Sequence, residues 1–532
     1  MGPAVTAAAV AVPAAGGDPW PPGDTLILRR RPVRAGTPAG RMSRFADPVW
    51  VLQPAHTDAH HTVNSLHWGK WPHELVREFK AVALAALDHP YPAAEAVASG
   101  CDQPAIDTVS LEMRDLRIFA AWMHDNGLTS LSQVTARHLD AYLASVLALT
   151  ASDDRKAQLL HSVRLIWVFR RHLPEDCRMP AGEPWDGASG RSLAAAPRFS
   201  RENRTPRIAP DTMEPLLAWS LRMLEVLGPD IRDAWTEYQQ ILHGEHPWQE
   251  GFAELTVSQR LEAFLARARR EKIAVPGRAS PGEAAQPDPG HLARILMTET
   301  LSLGQDRLRL IKGSGAAIAD GAYLAVIRGR LDGRPWRDRP VTVAEVYDLV
   351  RLLAAACFII ICYLSGARPG EALNLRRGCR SSGGGQLLID GYRGKGHGRQ
   401  APAGDMPGRT WTVVEPVHAA VEMLESLSKS PLLFPASLVK AHDRRPGDDN
   451  ARVSRYMTRD IGQFTDWVND TFPGAGGSPA IPPDPAGTIY PRRFRRSLAC
   501  AHSVNDQGAV RSVNAETRIV VSPLQLAGSA AA

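Results

Sequence analysis

Apolar residues recur at three- and four-residue spacing through residues 105–175, as on one face of an amphipathic helix. Two stripes are clear and consist of Val109, Met113, Leu116, Ala120 and Met123, followed by Leu139, Tyr142, Leu143, Val146 and Leu147. Ser152 before Asp153 and Asp154 predicts the start of a third helix. The pattern indicates a small helical bundle, whose basic residues either form a solvated face or meet phosphates.

From about residue 336 the pattern changes. Residues 342–363 read as a helix that becomes fully apolar, and the apolar run at 352–364 is too short to span a bilayer, so we predict a buried helix. Strand patterns at 387–390 and 410–414 flank a glycine-rich basic turn, and residues 416–427 read as helix again. We therefore predict a mainly α fold with a small β-hairpin or sheet.

Composition shifts divide the chain into six parts. They are a disordered N-terminus at 1–45, an accessory region at 46–104, a helical domain at 105–205, a helical linker or insertion at 206–335, an α+β domain at 336–499, and an aberrant or disordered tail at 500–532. The region at 206–335 contains a Pro/Gly-rich break at 274–291.

Bulk composition narrows the classes of function. A net charge of +6 and a pI of about 9.1 fit either a polyanionic partner or an ordinary charge spread. The six cysteines form no CxxC pair, and no secretory signal is visible, so we expect reduced thiols in a cytoplasmic protein. His56, His60 and His61 lie close in sequence without Cys or carboxylate partners at ligand spacing, so we expect no metal and no cofactor.

Residues 365–375 (SGARPGEALNL) carry the strongest motif. An apolar helix ends at Gly366, and Pro369 suits the first position of a new helix. Arg368 therefore lies at a helix start, where the local field favours an anion and a guanidinium matches two phosphate oxygens. The alternative is that Arg368 pairs internally with Glu371.

Two further basic motifs follow. Glycines in residues 391–399 (GYRGKGHGR) allow a tight β-turn that carries Arg393, Lys395 and Arg399, unless this is an ordinary surface loop. Residues 489–499 (IYPRRFRRSLA) place four arginines in five positions, which repel one another unless an anion lies between them. The alternative there is a basic helix end that binds phosphates nonspecifically.

Together with LLFP at 432–435, these motifs resemble the tyrosine recombinase (phage integrase) family, closely over about residues 340–499 and more loosely over 105–175. The resemblance implies a core-binding (SAM-like) domain at 105–205 and the family's catalytic domain at 336–499. It also implies site roles. Arg368 and Arg495 would clamp the scissile phosphate, Glu371 would support them, Lys395 would be the general acid and Arg492 would take the usual histidine's place. Further DNA contacts would come from Arg393, Arg399, Arg493 and Arg496.

The implied activity is site-specific recombination of double-stranded DNA through a 3′-phosphotyrosine, without metal or cofactor, by tetramers in the family. The last tyrosine of this chain, Tyr490, precedes Arg495, and residues 500–532 contain no Tyr, Phe or Trp. We therefore expect a chain truncated before the family's nucleophile, through a frame shift near Ala499 or Cys500. The competing hypotheses are a non-catalytic DNA-binding remnant or competitor, and a helical scaffold with fortuitous arginines.

Overall fold

The computed structural model describes residues 20–33, 37–56, 65–180, 182–196, 205–279, 283–320, 326–392, 408–439 and 451–505. The fold is mainly helical, with 57% helix and 10% strand in several small sheets, which agrees with the predicted class at this level. The described residues form two compact units. The first unit runs from Trp20 to Ala196, and the second from Thr205 to Asn505.

The first unit is a helical bundle with a two-stranded antiparallel sheet. Its strands are β1 (Val49–Val51) and β2 (Ser65–His67), and its helices are α1 (Val76–Asp88), α2 (Ala93–Ser99), α3 (Ile106–Asp125), α4 (Ala136–Leu147), α5 (Asp153–Val168) and α6 (Gly190–Leu193). The apolar stripe predicted on α3 is buried in the core of this unit. The predicted helix start is also present, since the Ser152 hydroxyl accepts a hydrogen bond from the Arg155 amide, 3.3 Å away.

The second unit contains the remaining helices. They are α7 (Pro210–Arg222), a π-helical turn (Met223–Leu227), α8 (Gly228–His243), α9 (Val257–Glu271), α10 (Pro289–Ile295), α11 (Gln305–Gly313), α12 (Val346–Ser365), α13 (Pro369–Leu373), α14 (Glu415–Leu427), α15 (Ser454–Thr471) and α16 (Arg492–Asn505).

Helix α12 is the centre of this unit, and α7, α8, α14, α15 and α16 pack around it. By length and composition it is the one helix among the described residues that could cross a membrane, but 83% of its most apolar window is buried against other parts of the chain. A helix that is covered on all sides by other helices is expected to be apolar on all its faces. Helix α12 is therefore the buried core helix that the sequence predicts.

Eight short strands complete the second unit. They are β3 (Val275–Arg278), β4 (Gln286–Pro287), β5 (Ile318–Asp320), β6 (Arg330–Leu331), β7 (Arg334–Pro335), β8 (Arg380–Gly383), β9 (Gln386–Tyr392) and β10 (Gly408–Val413). The strands β8, β9 and β10 form an antiparallel sheet in the order β10-β9-β8, in which Ile389 pairs with both Trp411 and Arg380. The two predicted strand patterns correspond to β9 and β10.

The sequence predicts that residues 206–335 form a helical linker or insertion. In the structure, this region contributes to two different hydrophobic cores. Leu216 on α7 and Ile231 on α8 belong to the same hydrophobic core as α12, and the Trp235 indole donates to the Leu427 carbonyl at 2.7 Å. Helices α9 to α11 build a separate small core around Phe264 and Leu292. The main core therefore begins near residue 208 rather than at 336, because the apolar faces of α7 and α8 are covered by a helix more than 100 residues later.

Candidate functional site

The turn after α12 positions Arg368. Gly366 ends the helix with φ +63°, a left-handed conformation that favours glycine. The Ser365 hydroxyl donates to the Ile361 carbonyl at 2.5 Å and accepts from the Ala367 amide at 3.1 Å. Arg368 is then the extended residue that caps α13, so its side chain leaves the backbone at a helix start, as the sequence predicts.

Glu371 holds Arg368 at two points. Its carboxylate accepts from the Arg368 amide at 2.7 Å and from the guanidinium Nη1 at 2.9 Å. The Glu371 side chain is fully buried, whereas that of Arg368 remains 36% exposed. The internal pair left open by the sequence therefore forms, and it fixes one edge of the guanidinium while the other edge is open to a ligand.

Arg495 lies against the same turn. Its Nη1 donates to the carbonyl of Gly366 at 3.1 Å, and Gly366 precedes Arg368 by two residues. The two arginines therefore lie at the same turn although they are far apart in sequence. Burial lowers the pKa of the Arg495 guanidinium, as do the nearby charges of Arg368 and Arg409, whereas Glu371 raises it. The guanidinium remains charged near neutral pH. The structure therefore brings Arg368 and Arg495 together on one surface.

Arg409 is a third basic residue near this group, because its charge lowers the pKa of Arg495, and the sequence reasoning missed it. It lies on β10 with its guanidinium 5.1 Å from the centre of the Trp411 ring. The predicted strand began at residue 410, one residue after Arg409. Residues two apart in a strand share a face, so a strand that began one residue earlier would have placed Arg409 on the same face as Trp411. We call Arg368, Arg409 and Arg495 the arginine cluster.

The hairpin of β9 and β10 carries the predicted lysine position. Tyr392 and Gly408 are the last pair before the turn. The segment that connects them, with Arg393, Lys395 and Arg399, lies outside the described residues. Asp390 accepts from Ser381 at 2.8 Å and from Thr410 at 2.5 Å, which ties the three strands together and lowers the pKa of its carboxyl.

Arg493 is completely buried and makes only internal contacts. Its guanidinium donates to the carbonyls of Arg207 at 2.8 Å and Gly487 at 2.9 Å, and it forms an ion pair with Asp484. This placement does not fit the predicted DNA contact, because no part of the side chain reaches the surface. The arginine instead joins the start of α16 to the segment before α7.

The other two arginines of this motif lie nearer the surface. Arg492 is exposed and Arg496 is partly exposed, and neither side chain has a hydrogen-bond partner among the described residues. Arg492 stands one turn before Arg495 on α16, at the position where the resemblance expects a histidine. Both side chains are therefore available to an external anion.

Within the described residues, no group of three or more His, Cys, Asp or Glu side chains has the arrangement of a metal site. His60 and His61 of the sequence cluster lie outside those residues, and His56 instead faces Asp107 at 3.4 Å.

Comparison of the chain with models of known protein families finds no match, and comparison with curated proteins finds none either.

Proposed function

We propose that this chain binds duplex DNA and holds a backbone phosphate at the arginine cluster, in a site of the tyrosine-recombinase type. One observation carries the proposal. Arg495 donates to the carbonyl of Gly366, in the turn that presents Arg368, so two distant arginine motifs meet at one surface. Under this proposal the second unit corresponds to the family's catalytic domain and the first to its core-binding domain.

Charge balance supports a bound anion. The cluster gathers three guanidinium groups, and Arg368 and Arg409 both lower the pKa of Arg495, which means that they repel its charge. Glu371 offsets only part of this repulsion and already pairs with Arg368. A phosphodiester would accept hydrogen bonds from the open edges of these groups, and charge-assisted bonds of this kind are among the strongest in proteins.

Such a cluster would also stabilise the charge that develops when a phosphodiester is attacked, because donors held in place need no reorganisation during the reaction. Guanidinium clamps do not replace a nucleophile. We therefore propose phosphate binding, without strand cleavage, as the activity of the arginine cluster itself. A 3′-phosphotyrosine found by mass spectrometry after incubation with plasmid DNA would overturn the binding-only proposal.

Binding of a fluorescent duplex, measured by anisotropy, tests the site. Arg495→Gln removes the charge of one clamp and retains a polar, although shorter, side chain. We expect the Kd to rise about tenfold or more, since a charge-assisted contact to phosphate is lost. The matched control is Arg309→Gln, which removes the same charge from an exposed residue on α11.

Melting curves of both variants establish that each is folded. An Arg495→Gln chain that binds DNA as tightly as the wild-type chain would exclude the arginine cluster as the phosphate site. Arg368 is less suitable for this test, because its removal takes the ion-pairing guanidinium away from the buried Glu371 carboxylate and would also affect stability.

A further inference from the structure

A cleft in the first unit lies between β2 and the middle of α3, and its volume is about 170 Å³. Pockets for drug-sized ligands start at about 300 Å³, so this cleft suits a small molecule or one end of a larger one. Four basic residues, His67, Lys70, Arg114 and Arg117, line it, and we call it the basic cleft.

Helix α3 forms one wall of the basic cleft. Ser110, Arg114 and Arg117 line this wall. Residues spaced by four and then three positions lie on one face of a helix, so these side chains share a face. The opposite face of α3 is held in the core of the unit by Val109 and Leu116, which are fully buried. The backbone that carries the two guanidinium groups is therefore fixed.

Strand β2 and the turn after it form the other wall. Ser65 and His67 lie two residues apart in β2, and the Ser65 hydroxyl is hydrogen-bonded to the His67 Nε2 at 3.0 Å. His67 pairs with Val49 of β1. Lys70 follows in a short 3-10 turn, Trp68–Lys70. A paired strand and a turn with a buried tryptophan thus place an imidazole and an ammonium opposite α3.

The floor of the basic cleft is apolar. It is formed by the buried side chains of Leu66, Trp71 and Met113. The Trp71 ring packs against Trp68 and Phe79, with ring centres 5.2 Å and 4.9 Å away. These contacts hold the floor in place, so the cleft offers an apolar surface between its two polar walls.

Positive charge in the basic cleft has no counterpart in the walls. None of the described residues that line it is acidic. Asp115, next to Arg114 on α3, is buried and pairs with Arg155 at 2.8 Å, whereas the Arg114 Nε is 3.9 Å away. Lys70 and Arg117 have no hydrogen bond or ion pair with any described residue. Three charged groups therefore line one small space with unused N–H donors.

We propose that the basic cleft binds a small phosphate monoester, with the phosphate among Lys70, Arg114 and Arg117 and the organic part against the floor. A monoester carries close to two negative charges at neutral pH and has three acceptor oxygens, which match these donors. A phosphate within a duplex carries one charge and is esterified on two sides, whereas the cleft ends at a floor. A terminal phosphate therefore fits better.

This site is separate from the arginine cluster, and it requires no DNA binding by the second unit. Phenyl phosphate is the probe, because it joins a dianionic head to one apolar ring. Isothermal titration calorimetry of the full chain measures its binding. The chain carries Arg495→Gln throughout, so that binding at the arginine cluster is reduced and the result does not depend on that cluster.

Removal of two unpaired charges tests the walls. Lys70→Gln/Arg117→Gln should raise the Kd for phenyl phosphate by about tenfold or more, since two charge-assisted contacts are lost. The matched control, Arg137→Gln/Arg171→Gln, removes the same charge from exposed residues of the same unit and should leave the Kd nearly unchanged. The proposal is overturned if phenyl phosphate does not bind or if the two double variants weaken its binding equally.

Filling the basic cleft distinguishes a cavity from a general basic surface. Ser110→Phe retains every charge but occupies the space between the walls, and it should weaken binding by about tenfold or more. Ala141→Phe adds the same ring at an exposed position of α4 and is the control. Melting curves establish that both variants are folded. A folded Ser110→Phe chain that binds phenyl phosphate as tightly as its parent would exclude the cleft as the site.

Competition identifies the class of phosphate. Dimethyl phosphate, a monoanionic diester like the DNA backbone, should not displace phenyl phosphate, and neither should a DNA duplex. Displacement by inorganic phosphate only at much higher concentration is expected, because that ion lacks the organic part that contacts the floor. Displacement by the diester or by the duplex at concentrations similar to that of the probe would overturn the proposal of a monoester site.

Discussion

Neighbouring arginines on α16 have different surroundings because successive helix residues point about 100° apart. Arg493 points inward, where backbone carbonyls and the Asp484 carboxylate satisfy it, and Arg495 reaches the Gly366 carbonyl. Arg492 points outward into solvent. A run of identical residues therefore divides into an internal anchor and external donors. The two kinds of arginine should respond differently to the same substitution.

Arg493→Met should destabilise the chain by about 3–5 kcal/mol, because it leaves the Asp484 carboxylate buried without its partner. Arg492→Met removes the same charge from an exposed position and should change stability by less than about 0.5 kcal/mol. Urea denaturation of the two variants measures the difference. Equal shifts of the two unfolding midpoints would contradict the internal role of Arg493.

Glu112 is a buried carboxyl in the first unit. Burial raises its pKa to about 7, and the neighbouring Asp115 raises it while Arg155 lowers it. One of its oxygens, Oε2, has no hydrogen-bond partner. The folded state therefore holds this proton more tightly than the unfolded state does. The contribution of Glu112 to the stability of the fold is most favourable at and below pH 4.5, declines as the pH rises from 4.5 to 7, and is constant above that range.

Glu112→Gln should remove that decline. We expect the variant to match the wild-type chain at pH 5 within about 1 kcal/mol and to exceed its stability at pH 8.5 by up to about 3 kcal/mol. Urea denaturation at the two pH values measures the change. Glu175→Gln serves as the exposed control, because the Glu175 side chain is 87% exposed. A stability difference for Glu112→Gln that is the same at both pH values would show that the carboxyl is already ionised in the folded state.

At the scale of elements, the turn between α12 and α13 links the helical core to the arginine cluster. A Cβ at Gly366 would lie 3.2 Å from the Leu498 Cδ2 on α16, tighter than ordinary van der Waals contact. Gly378 has a similar backbone, with φ +78°, but nothing lies within 4 Å of the position of its Cβ. The two glycines thus have the same conformational requirement and different neighbours.

Gly366→Ala and Gly378→Ala should each cost about 1 kcal/mol of stability through the strained backbone. Only Gly366→Ala should also weaken DNA binding, since the added methyl group displaces α16 and with it Arg495. Anisotropy with a fluorescent duplex and thermal melts of both variants distinguish the two effects. If both substitutions lower DNA affinity equally, the contact with Leu498 does not control the position of Arg495.

Local patterns predicted the elements that carry their own periodicity. The apolar run of α12, the stripe on α3 and the strand patterns of β9 and β10 all correspond to elements of the structure. Features that depend on distant partners were not predicted. The apolar faces of α7 and α8 show their role only against α12, and Arg493 shows its role only beside the carbonyls of the segment before α7. A prediction of the place of Arg409 in the cluster would have required both the limits of β10 and the position of α16.

At the scale of the whole molecule, a net charge of +6 over 532 residues is too diffuse to hold DNA by itself. The structure instead concentrates charge at particular places, of which the arginine cluster of the second unit is one. Salt dependence distinguishes binding through local phosphate contacts from binding through diffuse charge, because each phosphate contact releases counterions whereas a diffuse charge is screened. The slope of log Kd against log salt therefore reports the number of local contacts.

The double variant Arg409→Gln/Arg495→Gln should reduce that slope by about two, one for each phosphate contact removed. Arg309→Gln/Arg330→Gln removes the same total charge from exposed residues of the same unit and should leave the slope nearly unchanged. Anisotropy titrations between low and moderate salt, at constant pH and with the same duplex, measure all three chains. Equal losses of slope in the two double variants would mean that DNA responds to the total charge of the unit, and the arginine cluster would then have no special part in binding.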